Sequence, residues 1–302
     1  MSDGIEAAED EKAETSGKKK VFVAGATGRT GRKIVEQLLS KGFSVRAGVI
    51  NLEKAKDSLP GDSNVEIVKA DVTEGSTKLA EAIGDAEAVI CSTGFRFSWD
   101  LFAPWKNQTV LLDVDLMANP GNSLARQSRA TASPAIYLCN FCFGTSNKSA
   151  FLRGVNTVDN FGTVNLVDAC QKTGVNRFIL ISSILVNGAA MGQILNPAYI
   201  VLNVFGLTLI AKLQAEKYIR RSGINYTIIR PGGLRNDPPN GNIVMEPEDA
   251  LYEGSISRDQ VAEVAVEALL HPESHYKVVE IVSRAEAPKR SFEELFGAIE
   301  QK

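Results

Sequence analysis

Histidine is nearly absent: 302 residues hold only His271 and His275, close together near the C-terminus. A site built from several histidine ligands, or a serine–histidine pair in mid-chain, is therefore excluded. Cysteine is also scarce. Cys91, Cys139, Cys142 and Cys170 in a chain this long do not make a disulfide framework, so a reducing compartment is expected. There is no excess of positive charge, since 33 Lys and Arg stand against 36 Asp and Glu, and no basic cluster extends beyond Lys18–Lys20. Nucleic acid is excluded as a partner on that ground. The first twenty residues lack an apolar core and an Arg- and Ser-rich pattern, so neither a secretory signal nor a transit peptide is read there. The expectation is a cytoplasmic protein, or a chain given without its targeting segment.

Charge is missing altogether from Phe178 to Ala211, a length that raises the question of a membrane span. Asn187, Gly188, Gln193, Asn196, Pro197 and Asn203 interrupt it, and Ser182 closes an expected core strand. The reading is no transmembrane span but a buried strand, a loop and an interface helix. Tyr199 to Ile210 is apolar on all sides, so a peripheral lipid or protein contact through 197–211 is expected.

What is present is ordinary globular material, 44% hydrophobic and 23% charged. Residues 1–19 read as a disordered acidic tail. Order begins with the apolar run Val21–Ala24, followed by Gly25-Ala26-Thr27-Gly28-Arg29-Thr30-Gly31 and a helix with Ile34, Val35, Leu38 and Leu39 on one face. Strands are expected at 43–49, 65–69, 88–91, 177–182, 226–230 and 277–282, and helices at 79–83, 158–173, 207–221 and 258–270. Near-continuous apolar strands alternating with helices indicate an α/β, Rossmann-like doubly wound parallel sheet. The pattern gives a single domain over 20–302, broken by a Ser-, Thr- and Asn-rich insertion at 107–157.

The strongest chemical signal is the glycine loop. Gly25 suits the tight turn out of the strand, Gly28 lets amides approach a pyrophosphate, and Gly31 permits close helix–strand packing. Directly after the first strand of a βαβ pattern, that spacing indicates a dinucleotide site; a glycine turn without a ligand is the plain alternative. With Ala70-Asp71-Val72, Cys91-Ser92-Thr93-Gly94, Asp159-Asn160-Phe161-Gly162-Thr163, Ser182-Ser183, Arg230-Pro231-Gly232-Gly233 and Ile256-Ser257-Arg258, the chain resembles the atypical short-chain dehydrogenase/reductases. The branch is the NmrA-like, NAD(P)-binding one, and the resemblance is nearest to plant chloroplast members. It is also similar to the NADP-binding module of the plastid inner-envelope import component and to biliverdin-IXβ/flavin reductase.

The resemblance implies a chloroplast location and a set of roles. Gly25, Thr27, Gly28, Arg29, Thr30 and Gly31 would hold the pyrophosphate. Asp71 and Val72 would contact adenine, although Asp71 also suits a strand-end cap. Ser92, Thr93 and Gly94 would line the ribose, and Pro231 and Gly232 the nicotinamide end. An acid ending the second strand would bind the ribose hydroxyls of NAD, and none lies between Val45 and Leu52. Ile50 stands where relatives carry an arginine, which leaves Arg29 and Arg46 as candidate ligands for the 2′-phosphate of NADP. NADP is thus favoured, with NAD as the alternative.

Catalytic members use a serine and a Tyr-x-x-x-Lys pair. Ser183 and Lys212 match the serine and lysine, but Thr208 occupies the tyrosine position and is too weak an acid for that work. Tyr199 is thirteen residues from Lys212, beyond the same helical geometry. Glu216, one turn after Lys212, could pair with it. Cys139-x-x-Cys142 has no second pair or histidine, so no metal is expected. Three functions remain: an NADPH-dependent reductase of a small, possibly planar conjugated acceptor, a non-catalytic dinucleotide-binding sensor or docking module, and a membrane-peripheral plastid structural protein.

Overall fold

The structure, a computed structural model, describes residues 19–94, 156–204 and 207–300. The tail before Lys19, the 107–157 insertion except for its last two positions, and the Cys139–Cys142 pair lie outside the described residues.

Val21 to Ala24 are all buried because strand β1 (Lys20–Ala24) is covered on both faces. Helix α1 (Arg29–Ser40) follows, burying Gly31, Ile34, Val35 and Leu38 on one stripe. The chain continues through β2 (Ser44–Val49), α2 (Leu52–Ser58), β3 (Val65–Lys69), α3 (Ser76–Ile83) and β4 (Ala88–Cys91). It resumes in a π-helical turn, Asn156–Phe161, that runs into α4 (Gly162–Thr173), which ends at the left-handed Gly174. Then come β5 (Arg177–Ile181), α5 (Pro197–Val204), α6 (Thr208–Arg221), β6 (Asn225–Pro231), β7 (Gly233–Arg235), β8 (Asn242–Pro247), β9 (Ser255–Ser257), α7 (Arg258–Leu270), β10 (Lys277–Arg284) and α8 (Phe292–Gly297).

One eight-stranded sheet runs in the order β3-β2-β1-β4-β5-β6-β10-β8, and β7 pairs with β9 beside it. All the large-sheet pairings are parallel except β10 with β8. In register, Val21 lies between Val45 and Ala88, which places the strand-order reversal between β1 and β4. Such switch points open a crevice outside the carboxyl ends of the strands.

Two cores sandwich the sheet. On one face Ile34, Leu38, Val261, Ala265 and Phe296 join α1, α7 and α8 to the strands. On the other, Leu79, Leu166, Cys170 and Ile219 join α3, α4 and α6. A third cluster holds Ile184, Leu185, Val186, Tyr199, Leu209, Leu251 and Val282 above the sheet.

The expected doubly wound sheet is present. The apolar stretch 197–211 breaks into α5 and α6, two helices bent 83° from each other. Among the described residues no single helix is long and apolar enough to cross a membrane.

A candidate dinucleotide cleft

The glycine loop is built around backbone contacts that side chains would block. Gly25 has φ +76°, the left-handed region, and Gly28 N–H donates to its carbonyl at 2.9 Å. A Cβ on Gly31 would sit 2.2 Å from the Gly25 carbonyl oxygen, and one on Gly25 would meet Ser92 O and Thr93 Cγ2 at 3.2 Å. Ser92 closes the junction from β4: its N–H and its hydroxyl both donate to Ala24 O, at 3.1 and 2.9 Å. The N-cap of α1 is Gly28, which has no side chain to cap the helix, and the first turn contains no acid. The first amides of α1 therefore face the crevice with the positive end of the helix behind them. These features fit a pyrophosphate, which needs close backbone approach and a positive field.

Asp71 and Val72 follow β3 at the same edge. Asp71 Oδ1 accepts from Thr73 N–H at 2.9 Å and from the Thr73 hydroxyl at 2.8 Å, making a strand-end turn. Asn165 of α4 donates to Val72 O at 2.9 Å, which fixes the pair against the helix layer. Thr93 Oγ1 lies 3.2 Å from Cys91 Sγ, a thiol whose pKa burial pushes up.

Beyond Gly94 lies a buried ion pair. Lys212 Nζ is 3.0 Å from Asp159 Oδ1, and the Asp159 side chain is wholly shielded from solvent. Burial opposes the ammonium charge, but the Asp159 carboxylate together with weaker neighbours such as Glu216 outweighs it and holds the Lys212 pKa above its ordinary value. Asp159 sits within the π-helical turn, and Oδ1 would lie 3.8 Å from a Cβ at Gly94. Only three-dimensional placement assigns this partner, although the Asp-Asn-Phe-Gly-Thr run was the available signal. Asn160 Nδ2 donates to Gln214 on α6, fastening the turn a second time.

Ser183 is half-buried just past β5, and the N–H of its neighbour Ile184 donates to Pro231 O at 3.0 Å. Ser183 and Pro231 thus share the carboxyl edge. Gly232 N–H donates to Ile281 O at 2.9 Å, and a Cβ there would be 2.7 Å from Gly254 O. Tyr199 lies in the third apolar cluster, its ring against Gly188.

Two sequence expectations are corrected. Arg46 does not reach the crevice. It is the third residue of β2, in register with Phe22 and Glu66, and its guanidinium pairs with Glu66 at 3.3 Å and Asp85 at 3.4 Å. Asp85 also holds Lys20 at the start of β1, so this network lies at the amino edge of the sheet. Glu216 does not pair with Lys212. It takes Arg230 Nη2 at 2.7 Å and the Ser182 hydroxyl, and Arg230 also reaches Asp249 at 2.8 Å and Glu280 at 3.2 Å.

The sequence matches the NAD(P)H-binding family over residues 25–272. The chain belongs to that family. It is 61% identical to an uncharacterised chloroplast protein of Arabidopsis thaliana, over 93% of this chain and 82% of that one. It is 32% identical to the chloroplast protein TIC 62 of Pisum sativum over 96% of this chain, which spans only 47% of TIC 62. Sanguinarine reductase of Eschscholzia californica is 27% identical over 95% of this chain and 98% of its own length. Among solved structures, an oxidoreductase of Lactococcus lactis superposes with TM-score 0.60 at 22% identity, covering 92% and 95% of the two chains. A short-chain dehydrogenase/reductase of Veillonella parvula in complex with NADP gives 0.55 at 17%, covering 90% and 99%. These structures share the fold, and the family assigns an NAD(P)H ligand.

Proposed function

We propose that the protein is an NADPH-dependent reductase of a small acceptor, working without a tyrosine acid. The observation that carries this reading is the Lys212–Asp159 pair beside Gly94, a buried fixed charge next to the glycine cradle. When bound, the dinucleotide supplies a hydride to the acceptor and is itself oxidised. Gly25, Thr27, Gly28, Arg29, Thr30 and Gly31 bind the pyrophosphate, Asp71 and Val72 take the adenine, and Ser92 to Gly94 line the ribose. Lys212, held by Asp159, donates to the nicotinamide ribose. Pro231 and Gly232 border the nicotinamide, and water supplies the proton that completes the reduction, with the Ser183 hydroxyl as a relay that gives one proton as it takes another.

NADP is favoured over NAD because β2 ends at Val49, followed by Ile50, without an acid to take the ribose hydroxyls of NAD. The similarity to sanguinarine reductase supports a planar conjugated acceptor, and the chloroplast names of the relatives support a plastid location. A second reading, a dinucleotide-binding sensor or docking module, is favoured by Thr208 in the tyrosine position. For docking, the exposed Ile194, Leu195, Val201 and Leu202 near 197–211 offer an apolar surface.

The test is a fluorescence titration with NADPH and NADH, followed by NADPH oxidation with quinone and flavin acceptors. Saturable NADPH binding with oxidation that Lys212→Met abolishes supports the reductase. Tight binding with no oxidation supports the sensor, and no binding overturns both.

A further inference from the structure

Arg258 opens α7 just as Arg29 opens α1. Its N-cap, Ser257, accepts from Gln260 N–H, and the Gln260 side chain accepts from Ser257 N–H, so the start of α7 is fixed by a capping box. The two helices lie on one face of the sheet and lead away from its carboxyl edge. Lys33, one turn beyond Arg29, places Nζ 3.1 Å from Oδ1 of Asp259, the residue after Arg258. That bridge aligns the two N-termini side by side and occupies Asp259.

Each helix presents its positive end here, where an acid would be favoured, yet each begins with an arginine. Among the described residues no carboxylate lies within ion-pair distance of either guanidinium. Burial and the nearby Arg29 charge both press the Arg258 pKa below its ordinary value. The Arg258 side chain is nevertheless aimed: Nη1 donates to Asn236 Oδ1 at 2.7 Å and to Leu234 O at 3.3 Å. Both bonds use one nitrogen, which leaves the other edge of the guanidinium fork for a bidentate contact. Two arginines at two helix N-termini, beside a glycine cradle, form a site whose charge is completed by a phosphate.

We propose that Arg258 is a further ligand of the dinucleotide pyrophosphate, closing on it opposite Arg29. This rests on the glycine loop holding a dinucleotide. Helix α7 touches β5 and β6, on the side of α1 away from β2, whereas a 2′-phosphate belongs at the end of β2. Arg258 therefore strengthens NADPH and NADH binding alike and takes no part in choosing between them.

The experiment titrates the full chain, its Arg258→Gln variant and its Arg258→Lys variant with NADPH and with NADH at low ionic strength. The expected result is about tenfold weaker binding of both nucleotides by Arg258→Gln, as for loss of a charge-assisted contact, with the same factor for each. Arg258→Lys, which keeps charge but loses the fork, falls in between. Unchanged affinity, or a loss confined to NADPH, overturns the proposal. Melting temperatures without nucleotide separate binding from folding. If Arg258→Gln unfolds, Arg258→Lys decides alone, and wild-type affinity in that variant overturns the proposal. Failure of the wild-type chain to bind either nucleotide would remove the dinucleotide reading and this proposal together, whereas wild-type binding with an indifferent Arg258→Gln removes only the latter.

Discussion

Lys212 and Asp159 meet across two helical segments, Nζ to Oδ1 at 3.0 Å, with the carboxylate fully out of solvent. Because the Lys212 pKa is raised on folding, the pair stabilises the protein fully below the ordinary lysine range and loses that effect only as pH rises through the raised value. Asp159→Asn leaves a buried ammonium without its counter-ion, which costs about 3–5 kcal/mol near neutral pH. In the variant burial, the largest single influence, is opposed only by the weaker pull of neighbours such as Glu216 and lowers the lysine pKa, so the sign reverses. Its stability should climb between about pH 8 and 10, where the wild-type value is flat. Denaturant midpoints across that range are the measurement.

Gly31→Ala should be among the most damaging small substitutions. The added methyl would lie 2.2 Å from a backbone carbonyl oxygen, which no side-chain adjustment relieves. A loss of about 1–3 kcal/mol, with nucleotide affinity falling in step, is expected from urea unfolding and a parallel NADPH titration.

Arg230→Met removes the cation shared by Glu216, Asp249 and Glu280. The cost should be about 3–5 kcal/mol at neutral pH, because buried carboxylates lose their partner. Burial already raises the Glu280 pKa, and without Arg230 it rises further, so the variant regains stability as pH falls toward 5 while Glu280 takes up a proton. Thermal melts from about pH 8 to 5 would show that upward trend.

Arg46→Gln should leave NADPH affinity unchanged, since its partners Glu66 and Asp85 are at the opposite edge of the sheet. These half-exposed pairs contribute about 1 kcal/mol or less. Reduced NADPH affinity in this variant would contradict the placement.

Strands β1 to β6 and β10 are legible in the sequence because each is an apolar run between turn residues, and α1 because Ile34, Val35 and Leu38 repeat at helical spacing. Helix α2 is not, since only Ala55 is buried and no periodicity results. Strands β7 and β9 are three residues each, too short for alternation to register. Helix α8 left a readable sign, the Ser291-x-x-Glu294 capping box, without an expected helix being drawn from it. In the site, backbone-driven features such as Gly25 and Gly31 are legible because only glycine meets the need. Side-chain pairing is not. Helical spacing suggested Glu216 with Lys212, but Arg230 arrives from β6 and Asp159 from the π-helical turn before α4, contacts with no local signature.

The π-helical turn at Asn156–Phe161 makes residue number, as well as residue type, a property of the cleft. Deleting one residue between Asp159 and Gly162 would swing the carboxylate by about 100° around the α4 axis, away from Lys212, while leaving every core side chain of α4 in place. Descendants of this sequence can exchange Asn160 or Phe161 for other residues more readily than they can lose either one.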